Sequence, residues 1–444
     1  MMAAAASAPM VAARRVVVIA GPTAVGKSAL ALRLCELLPG ELISVDSVQV
    51  YKGLQIGANK PSTAELARVP HHLVDIREPD EEYTAGAFYA DALHAVEAVL
   101  ERGRVPVLVG GTSMYLRWLV SGRPEAPKAD PEVAERVRLS LAPLEASGDW
   151  TAALAQLAAV NPARAEQLSQ NDWYRLARAL CVAEQTSSTA AELPRPADPD
   201  GLDALRASLD LRCFFLSAPR ESLCRRIDAR CEAMLEKGLL EETAGLLADG
   251  KLLPSSPAGR AIGYRQVLQY LLREPCEASD AAALNNFLDG FTAASRRYAA
   301  QQVKWFRGEP RFEWVEADWA QPERAEQHVL ARVGLSADAW AAGLAAPTQN
   351  EMRALRPEEA KQMRTYSAQL RTLADKPSME AMLARADACR ATVKPQLETL
   401  LAADLELTKR FPWHSAPGGA LGHSVEAPPA VEGLEPKRRK GEER

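Results

Sequence analysis

The sequence predicts an α/β fold: a parallel sheet with helices on both faces, interrupted by an all-helical insertion and followed by a C-terminal helical extension. Three observations carry this. Short β-branched runs alternate with helically spaced apolar patterns over residues 14–123; the strand pattern disappears between Pro124 and Asp210 and then returns; and from about Ala339 to Lys409 only helical spacing is found. Parallel strands need crossover connections, which lay helices over both faces of the sheet and bury it. The implied boundaries are 14–123 and 211–335 for the α/β core, 124–210 for the insertion and 336–414 for the extension. The Ala-rich stretch 1–13 and the Pro-, Gly- and charge-rich stretch 415–444 are predicted to be disordered.

Taken in order, Arg15–Ala20 is a β-branched run ending in glycine, as a buried strand requires. Ser28–Leu38 carries Leu30, Leu34, Leu37 and Leu38 at helical spacing, and Pro39-Gly40 stops it. Leu42–Val45, Leu73–Ile76, Val105–Val109 and Cys213–Leu216 predict further strands, with helices at Ala85–Glu101 and Ser222–Leu235. In the insertion, Val133–Leu144, Trp150–Val160 and Asn171–Glu184 predict helices, and the proline-rich Leu193–Asp200 a loop.

Composition narrows the functional classes. The 53 Lys and Arg against 58 Asp and Glu give a net charge of −5, so a nucleic-acid partner has to be met by local basic patches. No apolar run approaches the ~20 residues of a membrane span. The seven cysteines are odd in number, scattered and never in C-x-x-C, which fits neither a disulfide framework nor a Cys-type zinc site and points to a reducing compartment. Adjacent His71 and His72, with no third ligand nearby, are expected to be structural. The basic run Lys437–Lys440 is surrounded by glutamates, as in a solvated tail.

Gly21-Pro22-Thr23-Ala24-Val25-Gly26-Lys27-Ser28 fits G-x-x-x-x-G-K-[ST] at every defined position, after a buried strand and at a helix start. Glycines let the backbone fold round an anion, so that loop amides and the helix N-terminus face phosphate oxygens. Lys27 adds a point charge, and the Ser28 hydroxyl is a natural Mg²⁺ ligand. The core is therefore a P-loop NTPase-like sheet. The cradle alone leaves a kinase, a nucleotide hydrolase and a diphosphate-dependent transferase open.

Neighbouring residues bear on that choice. A hydrolase is expected to carry an Asp at the end of a later strand, yet Val105–Val109 runs into Gly110-Gly111-Thr112. Asp46 instead follows the second strand, at the sheet end where ligands sit, and a carboxylate beside a bound diphosphate can take a proton from a weak nucleophile. A turn or helix cap is the alternative role. Arg226 and Arg230 share one helix face, either to clamp a leaving diphosphate or to pair in solvent with Asp228 or Glu232. Asn171–Arg178, Arg260–Gln266 and Ser295–Arg307 interleave basic and aromatic residues, which suits a splayed RNA loop but equally suits helices packing through their rings.

Together, GPTAVGKSALA (21–31), ELISVDSVQVYKGLQIGANKPS (41–62), VPHHLVDI (69–76), GRVPVLVGGTSMYLRWLVSG (103–122), NDWYRLARAL (171–180), RRIDARCEAML (225–235), RAIGYRQ (260–266) and RRYAAQQVKWFRG (296–308) resemble the tRNA dimethylallyltransferase (tRNA isopentenyltransferase) family, closest in kind to the bacterial-type homologues of plants and algae. The resemblance implies transfer of a dimethylallyl group from dimethylallyl diphosphate to N6 of adenosine 37, in the anticodon stem-loop of tRNAs reading UNN codons, with Mg²⁺ and without ATP. It implies Asp46 as general base. It also implies a diphosphate site of Gly21, Pro22, Thr23, Ala24, Val25, Gly26, Lys27 and Ser28, with Arg230 stabilising the leaving group beside Thr23. Asp46, Ser47, Val48 and Gln49 would touch the target base, and Thr112 would lie in the channel where the two substrates meet. Tyr174, Arg175, Arg178, Arg296 and Arg297 belong to its tRNA-contacting segments, and the insertion matches its tRNA-clasping domain.

Departures from the family pattern are Ala58, where many members carry a threonine, and Ala300-Gln301, where two basic residues are usual. A C2H2 zinc finger is absent, since Cys389, His414 and His423 cannot build one. A soluble, monomeric cytoplasmic enzyme is expected, with chloroplast or mitochondrion as the alternative address. The rival readings are an adenylate isopentenyltransferase acting on free AMP, ADP or ATP, a P-loop small-molecule kinase, and a non-catalytic RNA-binding protein.

Overall fold

The computed structural model describes residues 14–123, 130–186, 200–273, 280–354, 357–368 and 375–403. The terminal stretches 1–13 and 415–444, including Lys437–Lys440, and nearly all of the predicted 193–200 loop lie outside these residues.

Six strands, β1 (Arg15–Ala20), β2 (Gly40–Val45), β3 (His71–His72), β4 (Val105–Gly110), β5 (Asp210–Ser217) and β6 (Phe312–Glu316), form one parallel sheet in the order β3-β2-β4-β1-β5-β6. Central β1 pairs Val17 with Val107 of β4 and Val18 with Cys213 of β5. Its residues Val16 to Ala20 are fully buried, because helices cover both faces. The carboxyl ends of β1, β2 and β4 therefore lie side by side, and each leads directly into a residue set of interest: Gly21, Asp46 and Gly111.

Two predicted elements need correction. Leu73–Ile76 is not a strand; β3 is only His71–His72, where it pairs with Leu42 and Ile43. Leu73 and Asp75 sit at φ 61° and 56°, outside the extended region. The buried Lys60 ammonium holds the Asp75 carboxylate and the Tyr51 carbonyl. Ile76 N donates to Val50 O at 2.8 Å, so the segment curls under the turn that follows β2 rather than extending the sheet. The second correction is β6, which sequence reading passed over. Its Glu313 is 3% exposed and is held by Arg332 and His328 at 2.8 Å each, so a carboxylate sits inside what is otherwise an apolar strand.

The insertion packs round its own apolar cluster of Val137, Leu141, Trp150, Leu157, Leu176 and Leu180, separate from the core under the sheet. It is joined to the core at a neck where Arg123 bonds Asp200 and Asp203 at 3.1 Å each, so the outgoing and returning chain are tied by one guanidinium. The extension is helical at Ala337–Leu344, Pro347–Arg353, Pro357–Gln362 and Lys376–Ala403. Gln349 bonds both backbone groups of Trp314 in β6, and Arg385 clasps Glu241, so the extension is docked on the core rather than hung from it.

Candidate active site

The loop after β1 adopts the conformation its glycines predict. Gly26 caps the helix Lys27–Leu37 at φ 111°, and Ala24 also lies in the left-handed region at 66°. Alternating handedness of this kind turns successive amides toward a common centre, making an anion nest at a helix N-terminus. The Ser28 hydroxyl is in the first helical turn and exposed, while Lys27 Nζ donates to Pro22 O at 2.8 Å.

Three distant parts of the chain hold this loop. Trp319 Nε1 donates to Val25 O at 2.9 Å, with the Arg226 guanidinium 4.5 Å from its ring centre and bonded to Ala24 O. From the same helix, Arg220–Glu236, Arg230 Nη1 donates to Thr23 Oγ1 at 2.6 Å. The two arginines thus meet the cradle rather than Asp228, which is bound by Arg296 and, at 2.6 Å, by Tyr366. The third part is Gln302, on the long helix Asp280–Arg307. Its Oε1 accepts from Thr23 N at 2.9 Å and its Nε2 donates to Gly111 O at 2.8 Å, tying the end of β1 to the end of β4. A Cβ at Gly111 would stand 2.2 Å from Gln302 Nε2, so any side chain there would have to displace this amide from its bonds.

Gln302 was not singled out in the sequence as a site residue. Its signal was available: it continues the stripe Leu288, Phe291, Ser295, Ala299, Phe306 on the buried face, where an amide needs partners.

Asp46 follows β2. Its Oδ1 accepts from Val48 N at 2.8 Å and Gln49 N at 3.3 Å, so it does cap the turn, and its Oδ2 has no hydrogen bond among the described residues. Ser47 N donates to Thr112 Oγ1 at 3.2 Å, linking this turn to the β4 end. The Gln49 amide is occupied in holding Ser44 and the carbonyls of Ala58 and Asn59.

The electrostatics join the two halves. Burial, and then the neighbouring Arg230 charge, hold the Lys27 ammonium down to about 7, against the opposing pull of Asp46. Burial lowers the Arg230 guanidinium as well, and Asp46 again opposes it. The Tyr298 hydroxyl, facing Thr112, Gln302 and Asp46, is pushed up mainly by burial. A buried pair of cations thus feels the Asp46 carboxylate at the end of β2, on the far side of β4 from the loop.

The segments read as RNA-facing divide. Tyr174 is 81% exposed, Arg175 pairs with Asp172 in solvent, and Arg178 is half-buried. Trp173 packs edge-on against Trp150, and Tyr264 is buried with its hydroxyl on Glu242, so these rings serve packing. Arg296 is turned onto Asp228 beneath Tyr366, whereas Arg297 is exposed. His71 and His72 bond Val69 O and Glu41. Among the described residues no group of three or more His, Cys, Asp or Glu could hold a metal ion, and no helix is long and apolar enough to cross a membrane.

Fold and loop define a P-loop α/β protein in which the Asp46 carboxylate acts on the charges of Lys27 and Arg230. A family model described as IPP transferase matches residues 49–309. tRNA dimethylallyltransferase 9 of Arabidopsis thaliana is 42% identical over 330 residues, covering 68% of this chain and 71% of that protein. A tRNA dimethylallyltransferase of Protochlamydia amoebophila is 38% identical over 310 residues, covering 70% and 86%. A crystal structure of a eukaryotic dimethylallyltransferase acting on tRNA aligns with a TM-score of 0.57 at 27% identity, over 72% of this chain and 78% of that one. The full-length tRNA isopentenylpyrophosphate transferase of Bacillus halodurans aligns at 0.50 and 28% identity, over 79% and 99%. The chain belongs to the IPP transferase family.

Proposed function

We propose that the chain is a tRNA dimethylallyltransferase that moves the dimethylallyl group of dimethylallyl diphosphate to N6 of adenosine 37 in tRNAs reading UNN codons. The observation that carries this is the junction at Thr23, where Arg230 meets the hydroxyl and Gln302 the amide, with Asp46 acting on the Lys27 and Arg230 charges from the end of β2.

The diphosphate lies on the amides of Gly21 to Ser28, with Lys27 and Arg230 on its oxygens. Adenosine is everted from the anticodon loop, since a stacked exocyclic amine is a poor and inaccessible nucleophile. As the C1–O bond to diphosphate breaks, the N6–C1 bond forms, and an N6 proton passes to Asp46 Oδ2. Charge developing on the leaving oxygen is met by preorganised donors at Thr23, Lys27 and Arg230. Burial of those donors keeps water from the allylic carbon. Ser28 and the diphosphate oxygens would hold a Mg²⁺, a donor set that fits an ion keeping most of its waters; when bound it neutralises leaving-group charge. Ser47, Val48 and Thr112 line the approach of the base, and Tyr174, Arg175, Arg178 and Arg297 face the stem-loop, while Arg296, bound to Asp228, serves to hold its helix in place.

Labelled dimethylallyl diphosphate offered with tRNA or with ATP is the test. Label at position 37 of the tRNA, read by nucleoside analysis, is expected; label entering ATP alone overturns the tRNA reading. A monomer by light scattering and a cytoplasmic signal from a tagged full-length chain are expected, and a chloroplast or mitochondrial signal would replace the latter.

A further inference from the structure

Tyr298 and Gln302 stand one turn apart on the long helix and face Gly111; helical geometry puts Arg296, Ala300, Val303 and Arg307 on its opposite side. There the structure holds a second cavity, about 200 Å³, whose lining includes none of the cradle residues.

Besides this face of the long helix and the end of β5, three elements wall it. One is the start of the helix Arg220–Glu236, whose N-cap is Pro219 and whose first turn has no side-chain cap, leaving amides without an intrahelical partner. Another is the end of β6, with Trp314 and Glu316. The last is Met352 and Ala354 of the extension. That wall is fixed in place: Gln349 bonds Trp314 N and O at 2.6 and 3.2 Å, and Arg353 bonds Phe312 O at 2.7 Å.

The chemistry of the walls is divided. Arg220, Arg307 and the uncapped helix start supply positive charge, while Arg296 is held by Asp228. Leu223, Val303 and Met352 supply apolar surface. Trp314 lines the cavity but is 3% exposed with its indole N–H buried, so it contributes ring surface, while Glu316 brings a hydrogen-bond acceptor to the same cavity. A prenyl chain could not use that carboxylate, whereas a nucleobase carries both a flat apolar face and N–H donors that suit it.

We propose that this cavity binds a nucleotide, its base among Val303, Trp314 and Glu316 and its phosphate on Arg220, Arg307 and the helix start. Two sources share that chemistry: a nucleotide of bound tRNA outside the anticodon loop, which rests on the tRNA reading above, and a free mononucleotide.

The full-length protein is titrated calorimetrically with AMP, and its tRNA kinetics are measured in parallel. Ala300→Trp fills the cavity from an exposed helix position, and Arg220→Ala removes a charge from its rim; melting curves check that both fold. AMP is expected to bind wild type and Lys27→Ala alike, at least tenfold more weakly to Ala300→Trp and at least threefold more weakly to Arg220→Ala. A threefold or larger rise in KM for tRNA in Ala300→Trp assigns the RNA source, whether or not free AMP binds; lost AMP binding with an unchanged KM assigns the free nucleotide. The proposal is overturned if wild type binds no AMP and the tRNA KM is unmoved, or if AMP follows Lys27 instead of Ala300. Prenyl transfer by wild type in the same assay separates failure here from failure of the tRNA reading.

Discussion

Lys27 is the residue whose behaviour the site geometry fixes most sharply. Its ammonium is held down to about 7 by burial and Arg230. A bound diphosphate supplies the missing counter-charge and returns it toward the ordinary lysine value of ~10.4. Binding must therefore draw in a proton: about 0.5 at pH 7 and about 0.9 at pH 8, falling to about 0.1 at pH 6, from the free-site ionisation alone. The sign follows. The group's pKa rises on binding, so affinity is fully present below pH 7 and declines as pH climbs toward the bound value, by about 50-fold between pH 7 and 9. Calorimetry of dimethylallyl diphosphate binding in buffers of different ionisation enthalpy reads the proton number as a slope. Lys27→Met subtracts the ligand's own titration, since it keeps the volume and removes the ionising group. Equal slopes for wild type and Lys27→Met at pH 8 would refute the reasoning.

Asp46→Asn keeps an oxygen for the Val48 and Gln49 amides while removing the base, so melting temperature and tRNA affinity should hold and single-turnover prenylation should fall about 10²-fold or more. Gln302→Ala leaves Thr23 N and Gly111 O without their partner; a loss of about 2 kcal/mol in denaturant titrations is expected, together with slower turnover. Tyr174→Ala, at an exposed position of the insertion, should leave the melting temperature unchanged and raise KM for tRNA at least fivefold if the ring stacks on a base.

What could be read in the sequence follows a physical division. The cradle was legible because a backbone that must take left-handed conformations round an anion demands glycine at set positions, and Gly26 lies where that predicts. Strands β1, β4 and β5 were legible because burial on both faces leaves long apolar runs, and β2 because Leu42, Ile43 and Val45 stand close enough despite Ser44. Arg230 was only half legible: spacing gave its helix face, but nothing in the sequence states that this face meets Thr23 some 200 positions earlier. Gln302 was hidden by its setting, since a glutamine among arginines and aromatics suggests an exposed RNA contact until Gly111 is brought beneath it. β6 was hidden by Glu313, whose partners Arg332 and His328 come from the following helix. The Leu73–Ile76 error has the same origin, because the buried Lys60 that bends the segment lies outside it.

The Arg123 tie to Asp200 and Asp203 has a practical meaning for anyone rebuilding this molecule. Chain that departs and comes back through one clasped gateway, round an apolar nucleus of its own, can be exchanged as a cassette. Closing the gap with a few residues costs little entropy, and lengthening it costs only about 0.6 kcal/mol per doubling. Cassettes from other members of the family could thus be transplanted while the sheet stays untouched.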